Sequence, residues 1–212
     1  MEMPVFTIRG KNHRERGVDY GVQCKELIQG VLERYIRFFN GGHTAVSWDE
    51  AKVISKEFLP FIRSYSPELL DELEGIAQGA DVEFDDLLTL NSRSEAMTLV
   101  RRPPSDKEEL DGCSSVAVLP DASANGHTIL AQNWDTYTWQ EYGTVILQIL
   151  RDDGPDLMIV TEAGQLARYG MNQAGIALGV NSLQKHIILK FLESHLYLSA
   201  VNFWNRTVTL MR

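Results

Sequence analysis

Apolar residues recur at helical spacing through most of the first hundred residues, which predicts a mainly helical region from 17 to 97. The first helix is expected between Val18 and Phe39, with Gly41 and Gly42 ending it. Ser47 and Glu50 have the spacing of a capping box, so a second helix is expected to begin there. The side chains of this second helix that we expect to face inward are Ile54, Phe58, Phe61 and Ile62.

Two further helices carry start signals of their own. Ser66 followed by Pro67 is typical of a helix start, because proline is tolerated in the first turn. Asp85 or Asp86 is expected to cap a fourth helix. On the third helix an apolar stripe is expected to face inward, and the outer face is expected to carry the carboxylates of Glu68, Asp71, Glu72 and Glu74.

The pattern changes between 101 and 112, where two prolines and mixed charges break the periodicity and predict an exposed connection. Short strand-like runs with Asn-Gly and Asp-Gly turns follow, and we expect one antiparallel sheet over 113–183. Helices followed by strands indicate an α+β fold. The predicted organisation is a helical segment at 1–112 and a sheet-bearing segment at 113–212, with a further short strand at 5–8.

The charge distribution excludes one class of function. The net charge is −9, with 14 Lys/Arg against 21 Asp/Glu in 1–112 and 6 against 8 in 113–212. Nucleic-acid binding needs a clustered basic surface, so no nucleic-acid partner is expected. The chain has two cysteines, no secretory signal and no apolar run long enough for a membrane span, which favours an intracellular, cytoplasmic protein.

Cys113 is the leading candidate for chemistry, because it follows Asp111-Gly112 at the junction between the connection and the first strand. Cleavage of the Gly112–Cys113 bond would place a thiol and a free α-amine on one residue. That amine has a reference pKa of about 7.7–8.0, so it can act as a general base beside a strong nucleophile. The alternative is a small apolar residue that opens a strand, which is the commonest role of free cysteine.

Other residues are weaker candidates. Asn133-Trp134-Asp135 ends a strand and fits either a site edge, with Asp135 orienting the α-amine, or an ordinary hairpin turn. Arg93 and Glu95 fit either an inward ion pair near the site or a solvated helix end. Glu162 precedes Ala163-Gly164 at a strand end, where glycine permits close backbone approach.

Metal and phosphate chemistry find no support in the sequence. The histidines have no metal-ligand spacing, and no glycine-rich phosphate loop occurs, so neither a metal nor a bound cofactor is expected. A papain-type thiol site stays open, with the partner of the cysteine drawn from His127, His186 and His195.

Several motifs in order resemble the acyl-coenzyme A:6-aminopenicillanic-acid acyltransferase (isopenicillin N acyltransferase) family of N-terminal-nucleophile (Ntn) hydrolases. The resemblance covers roughly residues 10–184. The motifs that carry it are Arg16–Gly21, Glu74–Ala80, Leu90–Glu95, Asp111–Ser115, Gln132–Asp135, Thr161–Gly164, Gly170–Asn172 and Asn181–Leu183.

The resemblance implies an αββα Ntn-hydrolase fold and a precursor that cleaves itself before the cysteine. It implies that Cys113 is the nucleophile, that the Ser115 hydroxyl assists cleavage and that Asp135 orients the site. Arg93, Glu95, Asn133, Trp134 and Glu162 are then candidates for substrate contacts. The implied reaction moves acyl groups between amides, thioesters and water, with penicillin-type amines among the substrates and acyl-coenzyme A as co-substrate.

The two cleaved fragments are then expected to stay together as a heterodimer. A peroxisomal location also follows from the family, although the chain has no Ser-Lys-Leu signal. The resemblance fades after about 184, so the fold is expected to be incomplete, with a helix at 186–198. A non-catalytic homologue that only binds a ligand or a partner is the second hypothesis.

Overall fold

The computed structural model describes residues 2–99 and 113–181. Within these two ranges a short strand comes first, six α-helices follow it, and six strands lie after residue 112. The helices are α1 (His13–Gln23), α2 (Lys25–Phe38), α3 (Trp48–Lys56), α4 (Leu59–Tyr65), α5 (Pro67–Ala80) and α6 (Phe84–Leu99). The strands are β1 (Val5–Ile8), β2 (Ser114–Val118), β3 (Ile129–Asn133), β4 (Thr144–Ile149), β5 (Leu157–Glu162), β6 (Tyr169–Asn172) and β7 (Ala177–Leu178). The α+β class and the strand at 5–8 are confirmed.

Two of the predicted helices are each divided in the structure. The stretch from Val18 to Phe39 breaks at Cys24, whose backbone leaves helical geometry. The helix that begins after Ser47 ends at Lys56, and α4 follows with Pro60 in its first turn. Proline has no N–H to continue the earlier helix, which accounts for the second break. The break reorients the side chains, so the prediction that Phe61 faces inward is wrong; it is half exposed.

The helix starts agree with the sequence at some positions and differ at others. The capping box of Ser47 and Glu50 is present in full. Asp86 lies inside the first turn of α6 rather than at its cap, and its carboxylate forms an ion pair with Lys52. Glu72 was expected on the outer face of α5, but it is buried, and one of its carboxylate oxygens lies 2.7 Å from Nδ1 of His13.

Helices α1 and α5 cross at a seam of four glycines, Gly17, Gly21, Gly75 and Gly79. A Cβ atom added at Gly17 would lie 2.2 Å from the carbonyl oxygen of Glu72, and one at Gly75 would lie 2.3 Å from that of Arg14. Each pair of glycines is spaced by four residues, so both face the same side of their helix. The close approach of the two backbones therefore requires glycine at these positions.

The strands form two separate sheets. One sheet has the order β1-β4-β5-β6-β7, in which β1 is parallel to β4 and the other pairs are antiparallel. Alternate residues of β4 (Val145, Leu147 and Ile149) are buried in the same core as the apolar faces of the helices. This core packs the helical half of the chain against the larger sheet.

The second sheet is the antiparallel pair β2–β3, here called the hairpin sheet (residues 114–118 and 129–133). The expectation of one antiparallel sheet over 113–183 is therefore wrong. Four of the five residues of each strand are exposed, so both faces of the hairpin sheet are largely open in the part of the chain that the structure describes. The expected connection at 101–112 and helix at 186–198 lie outside the described residues.

Candidate active site

Cys113 lies at the edge of the hairpin sheet, immediately before β2. The register pairs Ser114 with Asn133, which brings Cys113 beside the residues that follow β3. The Cys113 Sγ atom accepts a hydrogen bond from the backbone N–H of Asp135 at 3.3 Å and donates one to the carbonyl oxygen of Asp135 at 3.6 Å. A donor aimed at sulfur stabilises negative charge on it, so this contact suits a thiol nucleophile.

The Asp135 side chain is held by its own neighbour. Nδ2 of Asn133 donates to Oδ1 of Asp135 at 2.8 Å, while the Asp135 residue as a whole stays exposed. The hairpin interpretation of the Asn133-Trp134-Asp135 motif is wrong, because β3 and β4 lie in different sheets, but the motif does place an oriented carboxylate in the segment that contacts Cys113.

A second set of polar contacts joins the hairpin sheet to the chain after β7. The side-chain amide of Gln132 bonds to both backbone groups of Val180, donating at 2.5 Å and accepting at 2.8 Å. Nδ2 of Asn181 donates to Oγ of Ser115 at 2.6 Å. The resemblance predicted a role in cleavage for Ser115. It predicted no role for Asn181, which appeared only as the first residue of the motif Asn181–Leu183.

Glu162, at the end of β5, is the centre of a buried polar cluster. Its side chain is 0% exposed, and it accepts hydrogen bonds from Tyr35 at 2.9 Å and from Arg93 at 2.7 Å. Three further side chains contact its carboxylate, namely Gln140, Gln165 and Arg168. The two arginines supply the positive charge that a buried carboxylate needs.

The cluster also perturbs its tyrosine. Burial raises the pKa of Tyr35 well above its usual value, and the positive charge of Arg93 opposes that shift only in part. Nε2 of Gln140 donates to the Tyr35 hydroxyl at 2.5 Å. Tyr35 is therefore a neutral hydroxyl that accepts from Gln140 and donates to Glu162.

Arg168 connects this cluster with the hairpin sheet. Its guanidinium contacts Glu162 on one side and lies 4.4 Å from the ring centroid of Trp134 on the other. The rings of Trp134 and Tyr169 also pack against each other, with centroids 5.8 Å apart. Sequence reasoning missed Arg168, and a single arginine in a loop carries no periodic or motif signal that would have identified it.

The predicted site residues therefore fall into two groups. Cys113, Ser115, Asn133, Trp134 and Asp135 lie at one end of the hairpin sheet. Arg93 and Glu162 lie in the buried cluster, and Glu95 is half-buried on α6. Their roles as catalytic or substrate-contacting residues stay predictions, and Gly112 lies outside the described residues.

For the papain-type alternative, the structure excludes one of the three candidate histidines as a partner of the Cys113 thiol. His127 is exposed and precedes β3 by two residues, whereas Cys113 lies beside the end of β3. The length of the strand separates the two side chains, so His127 cannot pair with the thiol. His186 and His195 lie outside the described residues. Within residues 2–99 and 113–181, no group of His, Cys, Asp and Glu side chains could hold a metal ion, and no helix is long and apolar enough to cross a membrane.

The helices followed by sheet form an α+β fold, and Cys113 lies immediately before the first strand of its second segment. No protein-family model matches the chain. It is 31% identical over 173 residues to the acyl-coenzyme A:6-aminopenicillanic-acid-acyltransferase 40 kDa form of Emericella nidulans. This match covers 79% of this chain and 45% of that protein. It is 26% identical over 204 residues to the β-alanyl-dopamine/carcinine hydrolase of Drosophila melanogaster, which covers 88% of this chain and 50% of that protein.

These matches place the chain in the acyl-coenzyme A:6-aminopenicillanic-acid acyltransferase family of Ntn hydrolases. The chain spans about half the length of the curated relatives that it matches.

Proposed function

We propose that the chain belongs to an N-terminal-cysteine acyltransferase or amidohydrolase that activates itself by cleavage between Gly112 and Cys113. The observation that carries the proposal is the contact of 3.3 Å between the backbone N–H of Asp135 and Sγ of Cys113. It puts a hydrogen-bond donor on the sulfur of the cysteine within the family motif Asp111–Ser115.

The cleavage step follows from the chemistry of cysteine. Sγ of Cys113 attacks the carbonyl carbon of Gly112, the bond from that carbon to the Cys113 nitrogen breaks, and the nitrogen takes up a proton. Water then hydrolyses the resulting thioester, which releases the Gly112 carboxylate and returns a free thiol and a free α-amine. The Ser115 hydroxyl, held by Asn181, is our candidate for assisting this step.

Turnover uses the same two groups. The α-amine of Cys113 takes the thiol proton, and the sulfur attacks the acyl carbonyl of an amide or a thioester. The amine or thiol that leaves takes that proton, and an acyl group stays on the sulfur. Water or an amine then accepts the acyl group, which gives hydrolysis or transfer. The Asp135 carboxylate is our candidate for orienting the α-ammonium, since Asn133 holds it in place.

The substrate class is inferred from the relatives. The name of one describes acyl transfer between coenzyme A and 6-aminopenicillanic acid, and the name of the other describes hydrolysis of β-alanyl-dopamine and carcinine. We therefore propose small acylated amines as substrates and acyl-coenzyme A as a possible acyl donor in the same site.

The proposed fragments share elements that would hold them together after cleavage. Strand β1 from the first segment pairs with β4 from the second, and Arg16 forms an ion pair with Asp153 at 3.0 Å. The buried cluster around Glu162 draws Tyr35 and Arg93 from the first segment. We expect a heterodimer rather than two separate chains.

Mass spectrometry of the purified full chain tests the cleavage. We expect two fragments of 112 and 100 residues that elute together in size exclusion, because the bond before Cys113 is the one broken. Cys113→Ala should stay intact, and Cys24→Ala, the matched control, should be cleaved as the wild type is. Cleavage at another bond, or cleavage of Cys113→Ala, would contradict the proposal.

A trapping experiment distinguishes catalysis from mere binding. Incubation with an acyl-coenzyme A or a β-alanyl amide should add the mass of the acyl group to the 100-residue fragment, on Cys113. An uncut chain that binds such a compound without acylation would favour the non-catalytic homologue instead.

A further inference from the structure

Arg168 contacts two groups at once: the buried carboxylate of Glu162 and the aromatic ring of Trp134, which follows β3. The side chain is 7% exposed, and its guanidinium lies 3.3 Å from Oε2 of Glu162. The same guanidinium lies 4.4 Å from the ring centroid of Trp134. A cation over an indole face is attracted by the ring, and the attraction grows when water is excluded.

The next residue in the chain is the one that contacts the thiol. Asp135 follows Trp134 directly, and its backbone N–H reaches Sγ of Cys113. The position of the Trp134 ring therefore limits where this N–H can point. Asp135, Thr136 and Tyr137 are exposed, so hydrogen bonds rather than deep burial hold this segment.

The far end of the loop is tied to the same cluster. Gln140 is buried, and its side chain contacts Glu162 and the Tyr35 hydroxyl. Its Oε1 atom also accepts from the backbone N–H of Tyr137 at 3.1 Å. The segment from 134 to 140 is thus held at both ends by side chains that meet at Glu162.

We propose that Arg168 is a positioning residue for the thiol site, which it serves by linking Glu162 to Trp134 and so aiming the Asp135 N–H at Cys113. The proposal rests on the proposed function in treating Cys113 as the reactive residue. The reactive end of the hairpin sheet is then oriented by a charge that lies in the helix–sheet core.

The rate at which iodoacetamide alkylates Cys113 tests this link without requiring turnover. Peptide mapping of the full chain, in whichever form the wild type adopts, gives the rate at Cys113, and Cys113→Ala gives the blank. Arg168→Met fills similar volume without the charge, so we expect alkylation to slow roughly 3- to 10-fold as the hydrogen bond to sulfur is lost. Arg168→Lys keeps a cation for both Glu162 and the ring, and it should recover part of the rate.

A double variant separates positioning from a general loss of stability. Arg168 and Trp134 act as one unit, so Arg168→Met combined with Trp134→Leu should be no slower than the slower single variant. Ser47→Ala, which removes the cap of α3, should lower stability and leave the alkylation rate unchanged.

Two results would overturn the proposal: Arg168→Met alkylated as fast as the wild type, or Lys and Met variants that behave alike. Failure of the proposed function looks different. The wild type would then show no cleavage and no acyl adduct, while the order of the alkylation rates would still report on Arg168.

Discussion

Cys24 and Cys113 lie in two regions of the molecule that are stabilised in different ways. Cys24 sits between α1 and α2 in the apolar core and is 1% exposed. Burial, aided by the negative charge of Asp19, raises the pKa of its thiol to about 12. Cys113 lies at the edge of a hairpin sheet whose residues are mostly exposed, and polar contacts hold it there.

The difference indicates how this fold separates stability from chemistry. In the core, packing is close enough that four glycines are needed where α1 and α5 cross. In the hairpin sheet, the contacts that set geometry are hydrogen bonds from Asp135, Gln132 and Asn181. We expect substitutions in the first region to change stability and substitutions in the second to change reactivity.

The largest loss of stability is expected at Glu162. Glu162→Gln removes the charge that neutralises Arg93 and Arg168 in a buried site, which typically costs about 3–5 kcal/mol of unfolding free energy. Urea unfolding followed by circular dichroism measures the change. Glu74→Gln, which breaks an exposed ion pair with Arg14, is the control and should cost at most about 1 kcal/mol. Equal losses in the two variants would show that the cluster is not central to stability.

The glycine seam is expected to come next. In Gly75→Ala the new Cβ atom would lie 2.3 Å from the carbonyl oxygen of Arg14, so one helix must shift. Overpacking of this kind costs roughly 1–3 kcal/mol, and we expect it to outweigh the better helix propensity of alanine. Gly41→Ala, where the nearest atom belongs to the exposed His43 side chain, should change the unfolding free energy by less than about 0.5 kcal/mol. Equal changes in the unfolding free energy for Gly75→Ala and Gly41→Ala would contradict this prediction.

A dependence on alkaline pH is expected from Cys24. Its folded pKa of about 12 lies above the value near 9 of an exposed thiol, so the folded state holds this proton when the unfolded state has lost it. The contribution of this thiol to the unfolding free energy is then fully present below pH 9. It declines above pH 9, by about 1.4 kcal/mol per pH unit for one proton. Urea unfolding between pH 9 and 10 should show a shallower decline for Cys24→Ala. Equal slopes would show that the thiol is not the group responsible.

The smallest effect is expected on the hairpin sheet. Val116 is 57% exposed, so Val116→Thr should change the unfolding free energy by no more than about 0.5 kcal/mol. The same substitution at Val145, which is 0% exposed, buries a hydroxyl and should cost roughly 1–3 kcal/mol. Thermal unfolding of the two variants side by side gives the comparison. A large loss at Val116 would mean that another surface covers the hairpin sheet.

Much of the local structure could be predicted because its causes are local. The capping box at Ser47 and the start of α5 at Pro67 depend on residues within a few positions of each other. The break before α4 also had a local signal in Pro60, which the helical spacing of Ile54, Phe58 and Ile62 concealed. The motifs around Cys113 and Asp135 were close enough to a known family to bring the two residues into one site.

The helical and strand-bearing regions, the family and the candidate nucleophile could thus be predicted from the sequence alone. Only the tertiary structure decided how the strands divide into two sheets, because β1 finds its partner in β4 some 140 residues later. It also decided that Glu162 is the centre of a cluster whose partners come from α2, α6 and two loops. Pairing and burial of this kind depend on contacts between distant residues, and no periodicity along the chain records them.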